Sequence, residues 1–218
     1  MKRLAAIAAA LVALVVLGVG QLVLPGIAAH RLRDRLSTDG TVLSVKVSAF
    51  PAIELLWHQA DHVIVRMADY HAPVGALGSS LAGAGDAGSV DASSSVLETG
   101  LLTLRDAVLT KRGSRLTGSA RVTEADLRAA VPFLDNVVPV ASGGTQLTLR
   151  GTATLLGVSA SADATVAAQG GSVVVQPDVP FGGLATFTVF SNPHVDVLSV
   201  AVSPRAGGFA LRAQGVLR

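Results

Sequence analysis

The residues of this chain with the most chemistry in their spacing are His58-Gln-Ala-Asp61-His62, with Glu54 one helical turn earlier. On a helix, Glu54, His58 and His62 share a face at a spacing that suits zinc, close to the HxxEH pattern of inverted zinc proteases. Two features oppose it. Asp61 is one methylene shorter than the glutamate that serves as base, and Val63-Ile64-Val65 favours a strand, which turns His62 away from His58. No third-ligand helix follows. No metal site is expected.

Gly83-Ala-Gly85-Asp-Ala-Gly88 spells GxGxxG. Dinucleotide binding needs a strand before that motif and a helix after it, so that the helix N-terminus meets pyrophosphate. Here it is flanked by Gly, Ala and Ser on both sides, so a loop is expected and no cofactor. No GxSxG occurs, and His30, His58, His62, His71 and His194 lie in no recognisable hydrolase context. The absence of cysteine removes disulfides, thiolate zinc sites, a cysteine nucleophile and a lipoprotein anchor. No catalytic residue is assigned, and the expectation is a protein that is not an enzyme. A zinc hydrolase built on His58 and His62 is the remote alternative.

What remains is apolar. Half of the residues are hydrophobic but only 4% are aromatic, and charged residues make up 15%, against ~25% in soluble domains. Phe50, Leu55, Trp57, Leu127, Phe133, Phe187 and Phe190 sit mostly at strand ends, in Pro-flanked turns or on short helices. They are the candidates to line an apolar groove, against the alternative that the aromatics are simply core. Ala160, Ala162 and Ala164 are expected to face inward, where small side chains leave room. Setting aside Lys2 and Arg3, the 17 basic residues fall to the number of acidic ones, 15. The body is neutral and has no electrostatic footprint for nucleic acid.

The elements that must position these residues begin after an export segment. Met1-Lys2-Arg3 precedes an apolar run from Leu4 to Gly20 that continues through Leu24 to Pro25-Gly26. Residues 1–29 read as a signal peptide or uncleaved signal-anchor, long enough to cross a bilayer. The expected location is periplasmic, secreted or tethered to the inner membrane. Ile27, Leu32 and Leu36 then mark a short amphipathic helix. Leu43, Val45, Val47 and Ala49 alternate as a strand, Ala52 to Trp57 suits a turn or two of helix, and Val63, Val65 and Met67 mark a second strand. Residues 70–95, rich in Gly, Ala and Ser, read as a flexible loop. Val96 to Thr110 is extended, Lys111-Arg112-Gly113-Ser114 is a hairpin turn, and Leu116, Gly118, Ala120 and Val122 alternate. Thr123-Glu124-Ala125-Asp126 resembles a capping box and opens a helix. Further strands are expected over Leu147–Thr154, Val158–Ala168, Val173–Val175 and near Thr186–Phe190. A last hairpin runs from Val195–Val202 to Phe209–Leu217. The expected fold class is α+β and β-rich, one domain over residues 30–218. Sequential hairpins imply one long curved antiparallel sheet of about eight or nine strands, with two or three short helices enclosing an apolar groove.

In this layout the chain resembles an actinobacterial family of exported domains of unknown function that includes the mycobacterial lipomannan elongation factor. The resemblance rests on the N-terminal apolar segment, the basic helix His30–Leu36, the strand running into Ala49-Phe50-Pro51 and the strand Asp61–Met67. It also rests on Leu116-Thr-Gly-Ser-Ala-Arg-Val-Thr123 with Glu124-Ala-Asp-Leu127. It implies a periplasmic phospholipid-binding protein, with phosphatidylinositol-type lipids among the candidate partners, that supports envelope glycolipid and lipoglycan assembly. A ligand-free structural or interaction protein of the envelope is the alternative.

Overall fold

The computed structural model describes residues 21, 23–50, 52, 55, 59–71, 86–99, 102–130, 135–143, 146–155, 158–178 and 186–218. Helix α1 covers residues 23–36. The strands that follow are β1 (Gly40–Ser48), β2 (Ala60–His71), β3 (Ala87–Glu98), β4 (Thr103–Arg112) and β5 (Arg115–Thr123). Helix α2 (Glu124–Ala130) leads into β6 (Asn136–Gly143), β7 (Gln146–Leu155), β8 (Val158–Gln169), β9 (Ser172–Asp178) and β10 (Phe187–Phe190). The chain closes with β11 (Val195–Arg205) and β12 (Gly208–Leu217).

These strands form two sheets rather than the single sheet of about eight or nine strands expected from hairpin succession. One has seven strands in the order β1-β2-β3-β4-β5-β12-β11, and the other five in the order β10-β9-β8-β7-β6. The last hairpin returns to pair β12 with β5, so β6 to β10 are an excursion inserted between neighbours of the first sheet. Sequence order conceals such an insertion.

The seven-stranded sheet is mixed, not wholly antiparallel. β2 and β3 run parallel from Ala60↔Ala87 to His71↔Glu98. A parallel pair needs a crossover of a dozen or more residues, and residues 72–86 separate the two strands. The stretch expected to be a loop over 70–95 therefore divides: β2 continues through His71, and strand begins again at Ala87. Ala87–Glu98 is built of small and polar residues with little strand propensity of its own. Pairing on both sides, with β2 and β4, makes it a strand. Residues 72–85 lie outside the described residues.

Helix α1 contains the expected amphipathic stretch. Leu32 and Leu36 pack with Val42, Val63, Ala92 and Leu97 around Val65, Met67 and Tyr70, the first apolar cluster. Gly40 opens β1 so close to β2 that a Cβ there would run into the Asp69 carbonyl. The register slips around Val42, which turns Leu43 outward where alternation placed it inward. The second cluster gathers Val202 and Phe209 with Leu127 of α2, Leu149 and Val166 of the five-stranded sheet, and Leu211. It is where the two sheets meet, along β11.

The expected hairpins form. Gly113 takes φ +58° between β4 and β5. The expected capping box forms as well, with Asp in the Glu position. The Asp126 amide donates to Thr123 Oγ1 (3.1 Å), and Thr123 donates its amide (3.3 Å) and hydroxyl (2.6 Å) to Asp126 Oδ2.

Candidate functional site

Cross-strand register aligns Val65, Ala92, Leu109, Gly118, Ala213 and Val200 in one row across β2, β3, β4, β5, β12 and β11. All lie on the face that carries both apolar clusters. Val65 and Ala92 belong to the first cluster; beside the other end, Val202 and Leu211 belong to the second. Between them, Leu109, Gly118 and Ala213 are half-buried and belong to neither. A Cβ added at Gly118 would meet nothing within 4 Å. From β3 to β12 the row spans roughly 14 Å at ~4.8 Å per strand. A sheet face covered at both ends thus carries small apolar side chains and open space at its middle.

The borders of this face are charged and held in place. On the adjacent row, Lys111 stands between Val90 and Leu116, only 3% exposed. Its ammonium donates to the Ala87 carbonyl. Burial pushes it below the ordinary lysine value, and Asp86 partly offsets this. At the α2 end, Arg105 clasps Asp126 through two hydrogen bonds of 2.8 and 3.0 Å. That fork, and then Thr123, hold the Asp126 carboxyl down at about 2 against burial. Asp106, at φ +49°, occupies the irregularity in β4 next to Arg105; aspartate is among the few residue types that tolerate this conformation.

The opposite face of β2 and β3 brings together Ser89, His62 and Asp91. Ser89 Oγ lies 2.6 Å from His62 Nδ1, and Asp91 Oδ2 lies 3.5 Å from Nε2. Ser89 Oγ also lies 2.9 Å from the Asp61 carbonyl, to which it can donate. Asp91 is held by a bidentate fork from Arg112 at 2.8 and 3.0 Å. In this arrangement the serine hydroxyl ties two parallel strands together. Sequence gave no sign of this group, because it depends on the β2·β3 register. His62 lies on β2, while His58 and Glu54 lie outside the described residues. Among the described residues no three His, Asp or Glu side chains gather as a metal would require.

Those of the expected groove residues that are described stand at different places in the fold. Leu127 packs in the second cluster. Phe50, just past β1, is 80% exposed, at the other end of the seven-stranded sheet. Leu55 is half-buried in a single helical turn position, and Phe190 is half-buried on β10. Phe187 and Phe190 pair with Val175 and Val173 at the edge of the five-stranded sheet. Trp57 and Phe133 lie outside the described residues. Ala160 and Ala162, expected inward, are exposed, because the half of β8 that carries them runs past the second cluster into solvent. The residues that line the half-open face are Leu109 and the small Ala92, Gly118 and Ala213. Alternation along β5 pointed to Gly118, and the other three become neighbours only through register.

No curated protein sequence matches the chain. A STAR-related lipid transfer protein from Xanthomonas axonopodis, solved as fragment 25–204, is similar at 13% identity, covering 53% of this chain and 75% of its own. The TM-score is 0.19, which carries no argument about the fold. The profile of the LmeA-like phospholipid-binding family matches residues 15–216. This is the family to which the resemblance in helix α1, the Phe50 turn and β5 pointed. With a match that begins in the N-terminal apolar run and takes in every strand of both sheets, the chain belongs to the LmeA-like phospholipid-binding family.

Proposed function

We propose that this protein binds phospholipid by sheltering acyl chain on the apolar face between its two clusters, over Ala92, Leu109, Gly118 and Ala213. The observation that carries the reading is the open space above Gly118, at the middle of a row whose two ends are covered. Hydrocarbon laid there leaves water at roughly 0.8 kcal/mol per methylene. The small side chains of Ala92, Gly118 and Ala213 leave depth for it. The family's phospholipid binding supports the reading. The role proposed is binding, in keeping with the family's phospholipid binding. The proposed setting is the outer side of the inner membrane, with the N-terminal apolar segment as signal or tether. The proposed role is support of envelope glycolipid assembly, with phosphatidylinositol-type lipids among the ligands.

Mass spectrometry of lipid extracted from the purified protein, together with uptake of a fluorescent phospholipid, tests this. Wild type carries lipid. Gly118→Leu, which places a side chain in the open space, keeps the far-ultraviolet circular dichroism and loses most of the uptake. A wild-type protein that neither carries nor takes up lipid removes the proposal. So does a folded Gly118→Leu variant that binds as wild type does.

A further inference from the structure

The turn after β1 holds a large apolar side chain in water, and a hydrogen-bonded clamp fixes where it stands. Phe50 is 80% exposed, while Val23 and Ile27, one turn apart on α1, are 49% and 45% exposed. Gln21 joins the two segments. Its side-chain oxygen accepts from the Ala52 amide at 2.8 Å, and its amide donates to the Ala49 carbonyl at 3.5 Å. The Phe50 amide in turn donates to Asp61 at 2.6 Å. Both ends of the turn are therefore tied down. Burying a phenylalanine is favourable, so a clamp that keeps one exposed points to a surface that will cover it.

Position identifies that surface. Gln21 directly follows the unbroken apolar run Leu4–Gly20, a length at the short end of what crosses the hydrocarbon core of a bilayer. Beside the clamp lies an open hollow of about 450 Å³ between α1 and the first two strands, lined among others by Pro25, Ala29, Lys46, Ser48 and His62. Arg31, Arg33 and Arg35 continue the positive charge along α1, all exposed. Apolar knobs beside cationic groups, next to a membrane-length segment, match the acyl boundary and the anionic headgroups above it.

We infer that Phe50, Val23 and Ile27, set by the Gln21 clamp, dock the β1 end of the body onto the phospholipid bilayer surface, with headgroup phosphates received at the Lys46 hollow. This rests on the membrane-attached reading above. It adds which end of the sheet faces the lipid, and so which border of the apolar face lies nearest the bilayer.

The chain has no cysteine, so a single nitroxide can be placed at will. Full-length Phe50→Cys and Leu198→Cys proteins, spin-labelled, are reconstituted with vesicles of phosphatidylglycerol and phosphatidylcholine. Flotation and collisional accessibility are then measured. Leu198 is an exposed control on β11, at the far edge of the sheet. The label at 50 should be shielded from an aqueous nickel relaxer and open to oxygen, and the label at 198 the reverse. Gln21→Ala should shift the label at 50 toward water. Protein that floats with both labels equally water-accessible overturns the docking site while leaving attachment standing. Protein that does not float overturns both. A label at 50 unmoved by Gln21→Ala overturns the part assigned to the clamp.

Discussion

The two sheets are built from similar strands and stabilised differently. The seven-stranded sheet carries apolar cover at both ends, from α1 at the β1–β3 end and from α2 with the second sheet at the β11–β12 end. Among the described residues, the five-stranded sheet is covered where Leu149 and Val166 meet Val202 and Phe209, and where Ala167 and Val174 are buried on its other face. Beyond that contact, Thr154, Ser159, Ala160, Ser161 and Ala162 are exposed. There the strands are held by pairing: Thr152–Ser161 and Thr154–Ser159 hydroxyl contacts of 2.9 Å, and an Arg150–Asp163 fork of 2.6 and 2.8 Å. Backbone ladders with polar cross-strand pairs carry strands a few residues past the last buried side chain. An apolar face left half-covered needs something else, because exposed hydrocarbon costs free energy that a polar flange does not.

The contrast predicts where the molecule gives way. The largest effect belongs to Phe209→Ala, which empties the joint between the sheets. Stability should fall by about 3–5 kcal/mol, and hydrogen exchange should quicken in β6–β9 before it does in β1–β3. Uniform loss of protection would show that the sheets form one unit and the contrast has no energetic content.

A smaller effect belongs to Gly171. It sits at φ +81° in the β8–β9 turn and accepts a 2.9 Å hydrogen bond from the Val197 amide, bridging the sheets. A Cβ there meets the Asp196 side chain, whereas at Gly170, φ +56°, it meets nothing within 4 Å. Gly171→Ala should cost about 1–3 kcal/mol in chemical denaturation, and Gly170→Ala less, its strain being that of the backbone alone. Equal costs would mean that the bridge contributes nothing.

Next comes the acid limb. Asp126 has its carboxyl at about 2, chiefly through Arg105, below the unfolded value of about 4. A depressed carboxyl stabilises the fold above the unfolded pKa, and that contribution is lost as pH falls from about 4 through about 2. Asp126→Asn should lower stability at neutral pH by about 1–2 kcal/mol and flatten that part of the stability–pH curve. A curve of unchanged shape would place the acid response elsewhere. Smallest of all, Ala160→Thr on the polar flange should change stability by within about ±0.5 kcal/mol. A larger loss in thermal melts would mean that the flange is packed.

Much of this architecture is legible along the chain. The period-2 pattern Leu116, Gly118, Ala120, Val122, the glycine turns at Gly113 and Gly170-Gly171, and the reciprocal Thr123–Asp126 cap are local devices. Each acts over a few residues and reads the same in the sequence as in the fold. The groove candidates rested on size and strand-end position, which do not say which way a side chain faces. Phe50 stands in solvent, Leu127 fills a core, and Ala160 and Ala162 lie beyond the end of the packing.

The sequence by itself determined the strands bounded by alternation, the helix caps, the tight turns, a neutral body behind an apolar N-terminal run, and the family resemblance. Tertiary structure alone decided that Ala87–Glu98 is a parallel strand, that β6–β10 form a second sheet, and that Ala92, Leu109, Gly118 and Ala213 become neighbours. The reason is range. A cap or a turn is settled by hydrogen bonds between residues three or four apart, whereas a sheet row is settled by register between strands far apart in the chain, which no local periodicity encodes.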